Sequence, residues 1–417
     1  MSDICALYAD ENGEIFDAPN ILPMGRLGDK NIPLNREDFI PLPDSADLMF
    51  LPDRKALGMD KDGEVFPIIG YAVAALLPAG FTRLYLPAFK KEENAAPLPI
   101  YGYTAVALID EKICVAAIPT DKSENWNPLN YNTKELKNLI KRAKKDLPNN
   151  GIVENLAKCS LEWHCLTAQN LFYRRFEAGV PVSPACNANC IGCISLQSAE
   201  CCPSPQSRIK KSPSVREIVE VMLYHLDFAP EAMVSFGQGC EGDPSLEYEK
   251  IAKAILRVRE RTNRGKINMN TNAGYTEGVK KIVDAGLDNI RVSIISAVEE
   301  TYSAYYRANY TLDNVKKSIR YAMEKGVYVS LNLLTFPGLN DREEETEKWI
   351  EFFKELPVPM IQIRNLNMDP DVLMDKLPKP RGKMLGTRRF LEILRENFPK
   401  MKIGSFSHFN EGISDNL

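Results

Sequence analysis

The chain has 417 residues, 44% hydrophobic and 26% charged, with a formal charge of −4 and a pI near 5.7. That length asks for one large or two medium domains, and the acidic balance argues against a generally basic nucleic-acid binder. The opening stretch, MSDICALYADENGEIFD, lacks the basic-then-apolar order of a secretion signal, so a cytosolic chain is expected and its ten cysteines do not read as a disulfide framework.

Residues 1 to about 125 are proline-rich, with short β-like runs. PIIGYAVAALLPAGF (67–81) is the longest apolar run; it is short for a membrane span and broken by glycine and proline, which predicts a buried element. YTAVALIDEKICVAAIP (103–119) reads as a hairpin turning at Asp110-Glu111-Lys112. A helix is predicted over 132–147, where Leu136, Leu139 and Ile140 recur at helical spacing, and 151–178 links this part to the next. From about 180 strands and helices alternate. GVPVSPA is the first strand and runs into a cysteine loop. A helix over 213–226 opens at Pro213 or Ser214 and carries the stripe Val215, Ile218, Val219 and Met222. Strands at EAMVSFG, KINMNTN, NIRVSII, VYVSLNLLTF and PMIQIRNLN then alternate with helices at LEYEKIAKAILRVRER, TEGVKKIVDAG, TLDNVKKSIRYAMEKG and REEETEKWIEFFKEL. Gly286 and Gly326 stop two of these helices. Such alternation means right-handed crossovers and a parallel sheet, open or closed into an incomplete barrel. The stretch 376–402 holds nine Lys or Arg against two Glu and reads as a solvated helix face.

PACNANCIGCISLQ (184–197) places Cys186, Cys190 and Cys193 in a C-x3-C-x2-C pattern. Gaps of three and two do not share one helix face, but a loop can converge them, and Asn and Gly suit its tight turns. Structural zinc takes four ligands in paired half-sites. The other cysteines offer only the adjacent Cys201-Cys202 and the widely spaced Cys159 and Cys165. A [4Fe–4S] cluster is also held by closely spaced cysteines, and three of them leave one iron open. The loop follows the first strand, at the end where parallel barrels build their sites. Three histidines, His164, His225 and His408, are too few and too scattered to suggest histidine-based chemistry.

Over roughly residues 180–370 this pattern resembles the radical S-adenosylmethionine (radical SAM) superfamily. Gly192 departs from the aromatic residue that usually precedes the third cysteine. The resemblance implies an α/β fold, a partial (β/α)6 barrel over 179–370, with an N-terminal α+β accessory domain (1–178) and a short C-terminal helical extension (371–417). It implies a [4Fe–4S] cluster on Cys186, Cys190 and Cys193, with S-adenosylmethionine on the open iron. Reductive cleavage then gives a 5′-deoxyadenosyl radical that takes hydrogen from a substrate. Cofactor contacts are expected from Gly237, Gly239 and Glu241 in SFGQGCEGDPSLE, with Glu241 facing the ammonium group. Others are expected from Asn270, Asn272, Ser293, Ser296 and Asn332 on later strands, and from Arg307 toward the methionine carboxylate. Arg364, beside Gln362 and Asn365 in a polar strand end, is expected to grip an anionic part of substrate or cofactor. Cys240 is the candidate to donate hydrogen to, or form an adduct with, a substrate radical.

A peptide or protein side chain is the expected substrate class. An RNA-modifying enzyme is the alternative, suggested by basic residues in 376–402 and at the end of 194–213. A non-catalytic iron–sulfur or zinc protein is the second alternative. An electron donor such as flavodoxin or ferredoxin is the expected partner, with no membrane. No Asp-x-His-x-x-Gly cobalamin signature or phosphate loop occurs. Cys159, Cys165, Cys201 and Cys202 remain candidates for a second cluster.

Overall fold

In a computed structural model, residues 4–197 and 202–409 are described; Cys201 lies outside them. The N-terminal part is an antiparallel sheet of eleven strands, running in order 30–33, 22–27, 47–59, 65–76, 4–9, 103–109, 112–115 and 40–41, with three short strands off this path. The apolar run forms its centre: Val65–Leu76 pairs with 47–59 and also with 4–9 and 103–109. The expected hairpin is present, with Val106 opposite Val115 and Ile109 opposite Lys112. Asp110 and Glu111 both take positive φ, 49° and 60°, as a two-residue hairpin turn with the twist of its strands requires.

Three helices follow: α1 (Leu136–Asp146), α2 (Gly151–Glu162) and α3 (Leu166–Tyr173). The last two occupy the segment expected to be a link. Asn150 caps α2, its Oδ1 accepting from the amides of Ile152 and Val153 at 3.0 and 3.3 Å. The apolar faces of all three helices are buried in the same core as the strands that follow them.

Seven parallel strands then form one curled sheet in sequence order, a partial barrel: β1 (Glu177–Gly179), β2 (Met233–Phe236), β3 (Lys266–Thr271), β4 (Asn289–Ile294), β5 (Tyr328–Thr335), β6 (Met360–Asn365) and β7 (Lys402–Gly404). The crossovers are α4 (Val215–Leu226), α5 (Tyr248–Arg259), α6 (Thr276–Asp284), the pair α7 (Glu299–Tyr306) and α8 (Leu312–Glu324), and α9 (Glu343–Glu355). They are followed by α10 (Pro370–Lys376) and α11 (Thr387–Asn397) before β7. Along each strand the apolar residues face the helices: Ile290, Val292 and Ile294 on β4 and Val329, Leu331 and Leu333 on β5 are fully buried. The alternate positions, Arg291, Ser293, Asn332, Gln362 and Arg364 among them, are polar. A parallel strand covered on both sides is ordinarily apolar throughout, so this alternation marks a polar barrel interior.

Two departures from the expected pattern have local causes. Paired β1 ends at Gly179, before most of GVPVSPA, because Pro181 and Pro184 lack N–H donors and the amides of Val182 and Ser183 donate elsewhere. The sheet also has a seventh strand, since β7 in the C-terminal segment adds to β6 with Ile361 opposite Ile403. Past β7 the chain crosses to the other edge of the sheet. Asp121 Oδ2 accepts from the amides of Ser405 and Phe406, at 2.9 and 3.1 Å, and lies 2.9 Å from His408 Nε2. Ser407 Oγ donates to Glu177 Oε2 on β1 at 2.9 Å. This tail spans the gap left between the first and last strands.

The N-terminal sheet, with a separate two-stranded pair of 81–83 and 117–119, sits on the C-terminal ends of β5 and β6. Gly28 donates to the Pro337 carbonyl (3.0 Å), Arg83 Nη2 to the Leu366 carbonyl (2.9 Å), and Asn365 Nδ2 to the Phe81 carbonyl (2.9 Å). A buried Arg54–Asp369 ion pair at 3.2 Å closes the contact. Within the basic 376–402 stretch Arg381 pairs with Glu300, Arg389 pairs with Glu392 and Glu396, and Arg388 donates to the Glu37 carbonyl. Among the described residues no helix is long and apolar enough to cross a membrane.

Candidate active site

The cysteine loop lies over the C-terminal ends of the barrel strands. The amides of Asn189 and Ile191 donate to the carbonyls of Tyr306 and Tyr305, at 2.9 and 3.1 Å. Arg307 ends α7 in a left-handed conformation (φ 46°), and its Nε donates to the Asn189 carbonyl at 2.7 Å. Gly192 is buried against Tyr305, Leu366 and the Asn367 carbonyl. The space an aromatic residue would need is therefore taken. Two donors point at the thiols: Asn272 Nδ2 is 3.8 Å from Cys186 Sγ, and Arg208 Nη2 is 3.5 Å from Cys193 Sγ.

Burial pushes the Cys190 thiol well up, and Cys186 and Cys193 push it further, so the three sulfurs lie within electrostatic reach of one another. Among the described residues, however, no three His, Cys, Asp or Glu side chains converge tightly enough for a single ion. Three thiols grouped but not collapsed, with amide and guanidinium donors beside them, fit a polynuclear cluster, whose thiolates accept hydrogen bonds. The donor set fits a [4Fe–4S] group with three protein ligands.

The turn after β2 abuts this loop. Gly237 has φ 80°, and a Cβ there would overlap the Asn270 carbonyl; one at Gly242 would overlap the carbonyl of Ala185, next to the first cysteine. Glu241 corrects the sequence-based expectation. Its carboxylate is buried and accepts four backbone amides, Val182 and Ser183 on Oε2 (2.7 and 2.9 Å) and Gly237 and Gln238 on Oε1 (2.6 and 2.8 Å). Burial pushes its pKa up to about 7 against the pull of those amides. Glu241 ties the end of β1 to the turn and presents no free oxygen to an ammonium group. Asp243, which sequence reasoning gave only a capping role, also binds Thr271 Oγ1 and the Asn272 amide, fixing the turn to β3.

Below the loop lies a cavity of about 450 Å³. It is lined from all of the first six strands or the turns after them, and it gathers six of the residues singled out in the sequence: Gly237, Gly239, Asn270, Ser293, Asn332 and Arg364. Ile194, next to Cys193, lines it from above. It also contains a pair that sequence reasoning missed, Arg291 with Glu177 at 2.9 Å, both nearly fully buried. An arginine inside the apolar NIRVSII was the available signal. Burial pushes the Glu177 carboxyl up, but Arg291 and the hydroxyls of Ser235 and Ser407 bring it below its ordinary value. Burial and the nearby Arg291 lower Arg364 to about 10.

Four further candidates lie outside this cavity. Asn272 faces the cysteine loop, donating to Asn187 Oδ1 at 2.7 Å. Arg307 braces the loop from an exposed position. Ser296 is buried against α9, its hydroxyl bonded to both oxygens of Glu345 at 2.8 and 2.7 Å, so it has none free for a ribose. Cys240 is buried at 4% exposure and does not line the cavity, although its neighbour Gly239 does. Asn155 Nδ2 lies 3.6 Å from its sulfur and 3.8 Å from that of Cys159. Cys165 adds to the rise in the Cys240 pKa, which Cys159 and burial dominate, whereas Cys202 acts on Tyr103.

Residues 180–350 match the Radical SAM superfamily model. Among curated proteins the chain is 25% identical over 178 residues to the FeMo cofactor biosynthesis protein NifB of Klebsiella pneumoniae, covering 39% of this chain and 37% of that one. It is 24% identical over 158 residues to GTP 3′,8-cyclase of Staphylococcus saprophyticus, covering 38% and 44%. HydG, a maturase of the [FeFe]-hydrogenase, is a structural neighbour with TM-score 0.40 and 18% identity over 66% of this chain and 63% of that one. The chain spans less than half the length of these two curated relatives.

Proposed function

From the premise that this chain is a radical SAM enzyme, carrying that superfamily's domain over residues 180–350, we propose that Cys186, Cys190 and Cys193 hold its cluster and that the cavity below them is the reaction chamber. The superfamily uses a [4Fe–4S] cluster and S-adenosylmethionine, which together supply a 5′-deoxyadenosyl radical able to take a hydrogen atom from an unactivated carbon. The observation that supports the reading is that Ile194, next to Cys193, lines a polar cavity to which each of the first six strands, or the turn after it, also contributes.

The residues divide the work. Arg208 and Asn272 orient the thiols and offset charge on them. Arg307 and Gly192 fix the loop against α7 and β6. Glu241 and Asp243 hold the β2 turn so that Gly237 and Gly239 line the cavity with backbone alone. Asn270 and Ser293 present amide and hydroxyl groups to the nucleoside. The N-terminal sheet and the 405–408 tail close the sides and limit water, which a carbon radical chamber requires. A volume of about 450 Å³ suits a small group of a larger substrate, and a peptide or protein side chain is the class we favour. A flavodoxin- or ferredoxin-like protein is the proposed reductant.

Anaerobically reconstituted protein should bind about four irons per chain and, with S-adenosylmethionine and dithionite, release 5′-deoxyadenosine. Cys190→Ala should abolish both. A Cys190→Ala protein that kept its iron and its 5′-deoxyadenosine would overturn the assignment.

A further inference from the structure

Charge inside the barrel is unbalanced at one end of the cavity. Arg291 is matched by Glu177, whose carboxylate is further engaged by Ser235 and Ser407. Arg364 lacks such a partner: one N–H goes to Gln362 Oε1 at 2.9 Å, and among the described residues it makes no ion pair. Its pKa of about 10 leaves it cationic at neutral pH. The Glu177 and Asp121 carboxylates act on it electrostatically without forming an ion pair with it; it is half-buried, and its planar fork matches a carboxylate or phosphate edge.

A second, uncharged deficit lies beside it. Asn332 Oδ1 is buried with no hydrogen-bond partner. In the sheet Asn332 is opposite Gln362, and Leu334 is opposite Arg364. Asn332 and Arg364 are therefore diagonal neighbours on the same inward face, about 7 Å apart at their backbones. One small group can meet both. Trp126 and Phe406, stacked at 6.3 Å and 6°, add an aromatic wall to the same cavity from outside the barrel.

The position separates this end from the cysteine loop. Gly192 touches Leu366 and Asn367, which lie past Arg364 along the chain, so the loop covers the strand end and Arg364 lies further in. Resting on the reading of this cavity as the reaction chamber, we propose that Arg364 and Asn332 form a substrate subsite for an oxyanion, carboxylate or phosphate, carried next to an N–H or O–H donor. Arg364 takes the anion, Asn332 accepts from the donor, and Trp126 with Phe406 meets an apolar or aromatic portion. Substrates without the anion are selected against, because they leave the fork of the guanidinium without an ion-pair partner.

The test uses the reconstituted full chain under anaerobic conditions, with hippurate, its neutral amide, phenyl phosphate and S-adenosylmethionine titrated separately. Calorimetry and the fluorescence of Trp126, isolated by comparison with Trp126→Phe, report binding. Hippurate, phenyl phosphate or both should bind, and which one binds identifies the anion. The amide should bind at least about tenfold more weakly than hippurate if the carboxylate is the anion. Arg364→Gln should weaken the bound anion by about tenfold or more, Arg364→Lys by less, and S-adenosylmethionine should bind both variants as it does the wild type. The inference is overturned if neither anion binds, if Arg364→Gln binds it unchanged, or if that variant loses S-adenosylmethionine instead. Protein that takes up no iron or releases no 5′-deoxyadenosine refutes the parent reading; normal values for both, with no anion bound, refute this inference alone.

Discussion

Replacing Asp369 with alanine should loosen the N-terminal sheet from the barrel. Its Oδ2 accepts from Arg54 Nη2 at 3.2 Å and from the Leu98 amide at 2.7 Å, while Oδ1 caps α10 through the amides of Asp371 and Val372. The side chains of Arg54 and Asp369 are 1% and 0% exposed, so water does not replace the lost carboxylate. A buried charge left without its partner costs about 3–5 kcal/mol, and loss of the helix cap about 1 kcal/mol more. Asp369→Ala should therefore destabilise the protein by about 4–6 kcal/mol, a large part of a typical domain's stability. Denaturant titration measures this, with chelator-accessible iron as a second readout because Leu366 and Asn367, just before Asp369, support the cysteine loop. Most of the cost is assigned to the stranded guanidinium, so Arg54→Met added to Asp369→Ala should restore about 1–2 kcal/mol. A single variant within about 1 kcal/mol of wild type, or a double variant no more stable than the single, would refute the argument.

Three other perturbations separate structure from chemistry. Burial lifts the Glu345 carboxyl from its ordinary 4.5 to about 7. A raised acid pKa means that stability present below pH 4.5 is lost as pH rises through 7, by up to about 3 kcal/mol. Glu345→Gln should flatten the dependence of the denaturation midpoint between pH 5 and 8, and an unchanged slope counts against it. Cys240→Ser should leave iron content and 5′-deoxyadenosine release intact, since the thiol is buried and does not line the cavity; loss of 5′-deoxyadenosine with iron retained would restore it to the mechanism. Ser296→Ala should cost about 1–2 kcal/mol through the Glu345 hydrogen bonds while S-adenosylmethionine affinity, read by calorimetry, stays unchanged.

Strand order was legible because each crossover carries its own signals: the apolar stripe and capping box of α4 (Ser214 with Glu217), and the glycine stops at Gly286 and Gly326, with φ of 105° and 75°. Alternation inside the strands also located the cavity. Asn270, Ser293, Asn332 and Arg364 sit at period-two positions whose apolar neighbours face the helices. What failed was discrimination among polar residues close to a strand end. Ser293 and Ser296 are three apart, so they cannot share a strand face, and Ser296 turns out toward Glu345. Glu241 and Cys240 are in an irregular turn, where no periodicity says which way a side chain points. The partners that decided their roles, the amides of Val182 and Ser183 and the side chain of Asn155, lie 58 or more residues away in the chain. β7 is three residues long, and α7 carries aromatics on several sides; neither has a period to read.

The parts outside the strand–helix repeat account for the shape of the chamber. A seven-stranded parallel sheet that does not close leaves edges at β1 and β7, and an open polar interior would fill with water. Here the gap is bridged by Asp121 gripping the 405–408 tail and by Ser407 bonding Glu177. The mouth is overhung by the N-terminal part of the chain through Arg54, Arg83 and Gly28. Both devices anchor on residues that also serve the interior: Glu177 pairs with Arg291, and Asn365 is adjacent to Arg364. Closure and the charge pattern of the cavity are therefore coupled. The tail that supplies Phe406 to the aromatic wall is fixed by the same carboxylate that pairs with Arg291, which leaves Arg364, among the described residues, as a cavity guanidinium without an ion pair.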